Sequence, residues 1–144
     1  MSDERPGPDS GSPAESVDLE LFDRTRALEY VGAPECLREV ARIFLATDSS
    51  VLARLQDGLR RRDGADLERE AHGLKGALGV LGSSMAAHRA AALEEAARRG
   101  EWTQCEESMT QLTAAIGALR PVLIEISRRP NSGTDVEPPG PRSA

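Results

Sequence analysis

The chain has 144 residues at 15.4 kDa with 39% apolar residues and a formal charge of −6, which leaves room for one core-forming domain and little more. The acidic balance would repel a phosphate backbone and argues against nucleic acid as a partner. No run of 18 apolar residues exists and the start, Asp3-Glu4-Arg5-Pro6, lacks the basic and apolar stretches of a signal peptide, so the reading is a cytoplasmic protein with no membrane segment.

In chain order, residues 1–16 come first, rich in Pro, Gly and Ser and nearly free of apolar side chains, and they read as a disordered tail. The domain is expected over 17–127. A short helix over about residues 18–30 carries Leu21, Phe22 and Leu28. After Pro34, Leu37, Val40, Ala41, Phe44, Val51, Leu52, Leu55 and Leu59 recur at i, i+3, i+4, i+7, the spacing of a long amphipathic helix. Pro34 and Glu35 suit its first turn, and Arg60-Arg61-Arg62 suits its last.

The next segment, with Leu67, Ala71, Leu74, Leu78 and Leu81, has Asp63 as its N-cap and Gly82 as its stop. A fourth, with Ala86, Ala90, Leu93 and Ala97, opens at Ser83 or Ser84 and closes at Arg98-Arg99-Gly100. The fifth starts near Trp102, which should pack on the end of the domain, and runs Cys105, Met109, Leu112, Ile116, Leu119, Leu123, Ile126. Pro121 should kink or end it, because the ring crowds the carbonyl of Gly117. Residues 128–144 read as a second disordered tail. Nothing alternates like a strand, so the expected fold is all-α: an antiparallel up-down-up-down four-helix bundle with a short additional N-terminal helix.

The segment Ala71-His72-Gly73-Leu74-Lys75-Gly76-Ala77-Leu78-Gly79 places three glycines inside a helix, each costing roughly 1 kcal/mol relative to Ala. With Ala71, Leu74 and Leu78 in the core, His72, Lys75, Gly76 and Gly79 share the neighbouring face. Bare positions 76 and 79 leave room for a bulky group to approach the ring. Lys75 is the one lysine in a chain that otherwise uses arginine, a compact ammonium one turn from an imidazole that can act as a nitrogen nucleophile.

The run His72-x-Leu74-Lys75-Gly76-x5-Gly82 resembles the phosphoacceptor motif of histidine-containing phosphotransfer (HPt) domains, over about residues 17–127. The resemblance implies a phosphorelay intermediate in which His72 accepts a phosphoryl group from the aspartate of one receiver domain and passes it to another. Its ring Nε2 would attack, Lys75 would help hold the phosphoryl oxygens, and Gly76 with Gly79 would give the receiver clearance. The implied partners are response-regulator receiver domains and a hybrid sensor histidine kinase. No cofactor is expected on this chain, Mg²⁺ belonging to the receiver, and the chain is expected to be a monomeric carrier with no catalytic site of its own. The chain departs from the family pattern at Arg89 and Ala86, where large apolar residues are usual, and Gly73 has no explanation in the motif.

Other readings weigh less. A dimerising histidine kinase needs an ATP-binding domain for which there is no room, and a di-metal bundle needs more than His72 and His88, which are 16 residues apart. An interaction module that keeps the fold but carries no phosphate is the main alternative. His88, among alanines, reads as solvent-facing, and Cys36 and Cys105, without CxxC spacing, read as small buried hydrophobes.

Overall fold

A computed structural model describes residues 19–128. The expected tails, together with Asp18 of the expected first helix, lie outside the described residues, apart from Arg128, which ends the last helix. Five helices follow one another: α1 (Arg24–Val31), α2 (Pro34–Arg60), α3 (Gly64–Val80), α4 (Ser84–Arg99) and α5 (Trp102–Arg128). No strand occurs among the described residues, and no helix there is long and apolar enough to cross a membrane.

The helix boundaries follow local chemistry. The Asp63 side chain accepts from the backbone N–H of Asp66 to start α3, and Ser83 accepts from that of Ala86 to start α4, each satisfying an orphan donor of the first turn. Pro34 occupies the first turn of α2, where its missing N–H costs nothing. Gly100 takes the left-handed conformation that closes α4. The periodic apolar residues then meet in one core, in which Leu37, Leu55, Leu67, Leu78, Leu93, Leu112, Leu119 and Leu123 are fully buried. α3 packs on α4, α4 on α5, and α2 on both α5 and α3, while α1 touches α2 and α3.

Three expectations need correction. α1 begins at Arg24 rather than near residue 18, because residues before it are held otherwise. The Asp23 N–H donates to the Gly82 carbonyl at 2.7 Å, the Met85 N–H donates to the Glu20 carbonyl at 2.7 Å, and the Asp23 side chain caps α1. Gly82 is required there twice over: its φ is +82°, and a Cβ would lie 2.5 Å from the Asp23 carbonyl oxygen. Of the two outcomes expected at Pro121, a kink or an end, the end does not occur: the fifth helix continues to Arg128. Both Pro121 and Gly117 are on its exposed side, so the carbonyl that loses its partner can face water, while Leu123 and Ile126 beyond it stay buried.

Cys36 is exposed, not buried, since it precedes the core residue Leu37 and falls on the outer flank of α2. Cys105 is buried, and burial pushes its thiol up; both thiols are free. Trp102 packs against the core edge with its ring under the Arg62 guanidinium, 5.4 Å from the centroid. Arg61 caps the end of α2 and is held by Asp57, Asp63 and Asp66, so the arginine run closes a turn rather than standing free.

A buried ion pair joins α2 to α5. Asp48 is 2% exposed and both its oxygens accept from Arg120 Nη1, at 2.6 and 2.5 Å. Asp48 is thereby withdrawn from water, and a buried carboxylate without a partner would be costly.

Candidate functional site

α3 buries Ala71, Leu74 and Leu78 and thereby turns His72 outward. The imidazole is 67% exposed, with one edge against α4: Nδ1 lies 2.9 Å from Oε2 of Glu94. Lys75, one turn further along α3, brings Nζ to 2.9 Å from the other oxygen of the same carboxylate. His72 and Lys75 are thus brought together by a third side chain. Nε2 of the ring has no protein partner among the described residues, and the ring that carries it is exposed.

Glu94 was not singled out by the sequence reading. Its signal was a carboxylate at a core register of α4, next to Leu93 and between Ala90 and Ala97, and it is only 7% exposed. Burial pushes its carboxyl up, but the hydrogen bonds from Lys75 and His72 outweigh that, and it sits below its ordinary value. An ionised Glu94 can only accept, so in the neutral ring Nδ1 is the nitrogen that carries the proton and donates, and Nε2 is the one with the free lone pair. The carboxylate therefore fixes both the ring's orientation and its tautomer.

A carboxyl whose value falls on folding contributes stability that is fully present above its unfolded value and is lost as pH drops through the folded one. Glu94→Gln should accordingly lose stability less steeply than the wild type on acidification through and below the ordinary glutamate range. Urea denaturation at neutral pH and at several acid values measures this, and equal slopes would show that Glu94 has no such part.

The face around the ring is bare. A Cβ built at Gly73, Gly76 or Gly79 would meet nothing within 4 Å, so these glycines are not demanded by packing inside the chain. They leave the α3 backbone open on either side of the ring's outward direction. On the neighbouring flank of α2, Ile43, Ser50 and Arg54 recur at i, i+7, i+11; Arg54 reaches Glu70 of α3 at 3.3 Å, and Ile43 is 55% exposed. That flank of α2, the helix paired with α3, thus carries an apolar side chain in solvent.

The remaining residues singled out from sequence lie elsewhere. His88 is exposed on α4, without the ring partners of His72. Arg89 takes up a polar contact with Gln111 of α5 at 3.2 Å, and Ala86 is fully buried, so α4 packs there on small residues. Among the described residues no three His, Cys, Asp or Glu side chains gather as a metal site would need.

Comparison with known proteins gives one match. The family model described as Hpt domain matches residues 39–121, more than half of the chain and including all of α3 and α4. No curated protein and no solved structure matches the chain.

Proposed function

The chain belongs to the Hpt domain family, and from that premise we propose that it is a histidine phosphotransfer protein of a two-component phosphorelay, shuttling a phosphoryl group between receiver aspartates through His72. The observation that carries the proposal is the Nε2, unpartnered among the described residues, of an exposed imidazole whose other nitrogen is held by Glu94. In the loading step the Nε2 lone pair forms the N–P bond while the P–O bond to the receiver's aspartate breaks, and that carboxylate departs with the electron pair. The ring becomes a phosphoimidazolium. Its Nδ1 proton stays on the Glu94 carboxylate hydrogen bond, so the ring remains a good leaving group. Handing on reverses the sequence: the second aspartate attacks phosphorus, the N–P bond breaks and its pair returns to Nε2.

Lys75, one turn away, would meet the phosphoryl oxygens as a mobile cation. The bare positions at Gly76 and Gly79, with the flank carrying Ile43, fit the close approach of a receiver surface of modest size. Mg²⁺ would come with the receiver and neutralise charge on the transferring group. The carrier is proposed as a monomeric, cytoplasmic partner of receiver domains and a hybrid sensor histidine kinase, with no cofactor or catalytic site of its own. Its fold is proposed as an up-down-up-down bundle with α1 as the additional helix. Short connections support this, as does the cross-helix pairing, in which Arg54 meets Glu70 and Gly58 lies against Asp66, positions rising along α2 as they fall along α3.

The test is to treat the full chain with phosphoramidate, locate acid-labile phosphate by mass spectrometry with His88 as internal control, and then add a Mg²⁺-loaded receiver. Label on His72 that passes to the receiver's aspartate is the expected result. Absence of label on His72, or label shared equally with His88 and never transferred, would leave an interaction module that carries no phosphate.

A further inference from the structure

We infer that Arg98 is a positioning residue for phosphoryl transfer, acting as the reserve cation that takes over the Glu94 carboxylate when Lys75 turns to the phosphoryl group. The inference rests on the carrier reading and concerns what happens to Glu94 once the site is loaded.

Glu94 is buried, and a buried carboxylate deprived of its partners is strongly destabilised. In the unloaded site Lys75 Nζ holds Oε1 at 2.9 Å and the ring holds Oε2 at 2.9 Å. A phosphoryl group on Nε2 brings a charge of about −2 within one helical turn of Lys75. The same ammonium is then wanted in two places, and it is the one lysine of the chain. If it stays on Glu94, the phosphoryl oxygens lack it; if it leaves, Oε1 loses its partner.

Arg98 is placed to offset the lost positive charge from the other side of the carboxylate, at Oε2 rather than at the vacated Oε1. Its Nη2 lies 3.5 Å from Glu94 Oε2, while Nε donates to Glu68 of α3 at 3.0 Å and Nη1 contacts Glu95. At 3.5 Å the contact with Glu94 is only half made. A charge-assisted bond forms at about 2.8 Å, so closing it takes less than an ångström of movement. The planar five-donor fork can keep Nε on Glu68 as the anchor while Nη2 advances. Glu68 and Glu95 hold the guanidinium beside Glu94 without satisfying it there.

The exchange makes Arg98 and Lys75 interdependent, which a merely structural role would not. Loading of the full chain by phosphoramidate is followed in single turnover for wild type, Arg98→Gln, Lys75→Met and the double variant, with circular dichroism to confirm helix content. In this step Nε2 binds phosphorus, the P–N bond to the donor nitrogen breaks, and ammonia leaves. Arg98→Gln should slow loading about threefold to tenfold, because Lys75 stays committed to Glu94, and should add nothing in the Lys75→Met background. Arg98→Lys, which keeps the cation without the fork, should recover part of the rate.

An Arg98→Gln rate equal to wild type, or an equal fold-loss in both backgrounds, would overturn the exchange and leave the carrier reading standing. A wild-type chain that takes no label on His72 would overturn the carrier reading and the exchange with it.

Discussion

The His72→Gln protein is expected to take up no acid-labile phosphate at position 72 and to pass none to a receiver, while melting within about 5 °C of the wild type. The two halves of this expectation come from the same geometry. The imidazole is two-thirds exposed and among the described residues makes one protein hydrogen bond, to Glu94, so little packing is lost. The glutamine amide can donate to the Glu94 carboxylate in its place, which spares the buried charge. What it cannot supply is a nucleophilic nitrogen, since an amide nitrogen has its pair delocalised. Thermal unfolding beside the phosphoramidate assay reads both halves. Acid-labile phosphate on the variant in wild-type amount would remove His72 from the chemistry, and a collapse of the melting temperature would make the residue structural.

Arg120→Ala is expected to cost about 3 to 5 kcal/mol of stability, the largest loss of any single ion-pair removal in the domain. It strands the Asp48 carboxylate, 2% exposed, between α2 and α5. Asp48→Ala should cost markedly less, although it deletes the same contact. The Arg120 side chain is 38% exposed, and its head can turn into water while its stem stays on the helix surface. Replacing both, Asp48→Leu with Arg120→Met, should recover much of the loss, because no buried charge remains. Urea denaturation of the four proteins measures this, and equal losses in the two single variants would show that Asp48 is solvated well enough to do without its partner.

How much of this was readable in the chain depended on how far apart the interacting residues stand. Caps and stops that act within a turn, such as Asp63 and Gly100, were found from spacing, and the cap of α4 was narrowed to Ser83 or Ser84, of which Ser83 serves; the outward face bearing His72, Lys75, Gly76 and Gly79 was found in the same way. The start of α1 was misplaced because Asp23 does two things there: its side chain is a local N-cap that spacing did not single out, and its N–H is tied to Gly82, a partner that no periodic signal in residues 18–30 reports. At Pro121 the early end, one of the two outcomes expected there, does not occur. The local rule against proline in a helix is sound, but the core contacts of Leu123 and Ile126 hold the segment in register beyond it.

Glu94 shows the same limit at the site itself. Read alone, it is one of many acidic residues on an alanine-rich helix; its meaning lies in the two cations that α3 sets against it from 22 and 19 positions earlier. Ring, ammonium and carboxylate could be joined only once the two helices were in contact. Cys36 illustrates how a general tendency fails in a particular place, since thiols are often buried but residue 36 falls just off the apolar stripe of α2.

The ion-network side chains at positions 72, 75, 94 and 98, with Glu68 and Glu95 that anchor Arg98, belong to one helical hairpin closed by the Gly82 turn. In kinetic terms that is a short loop to close, with a small entropic barrier against bringing its ends together. The pairing of α2 with α5 spans most of the domain and must wait for a far longer closure. The reactive centre therefore needs only a short closure to bring its side chains together and does not depend on the long closure that joins α2 to α5.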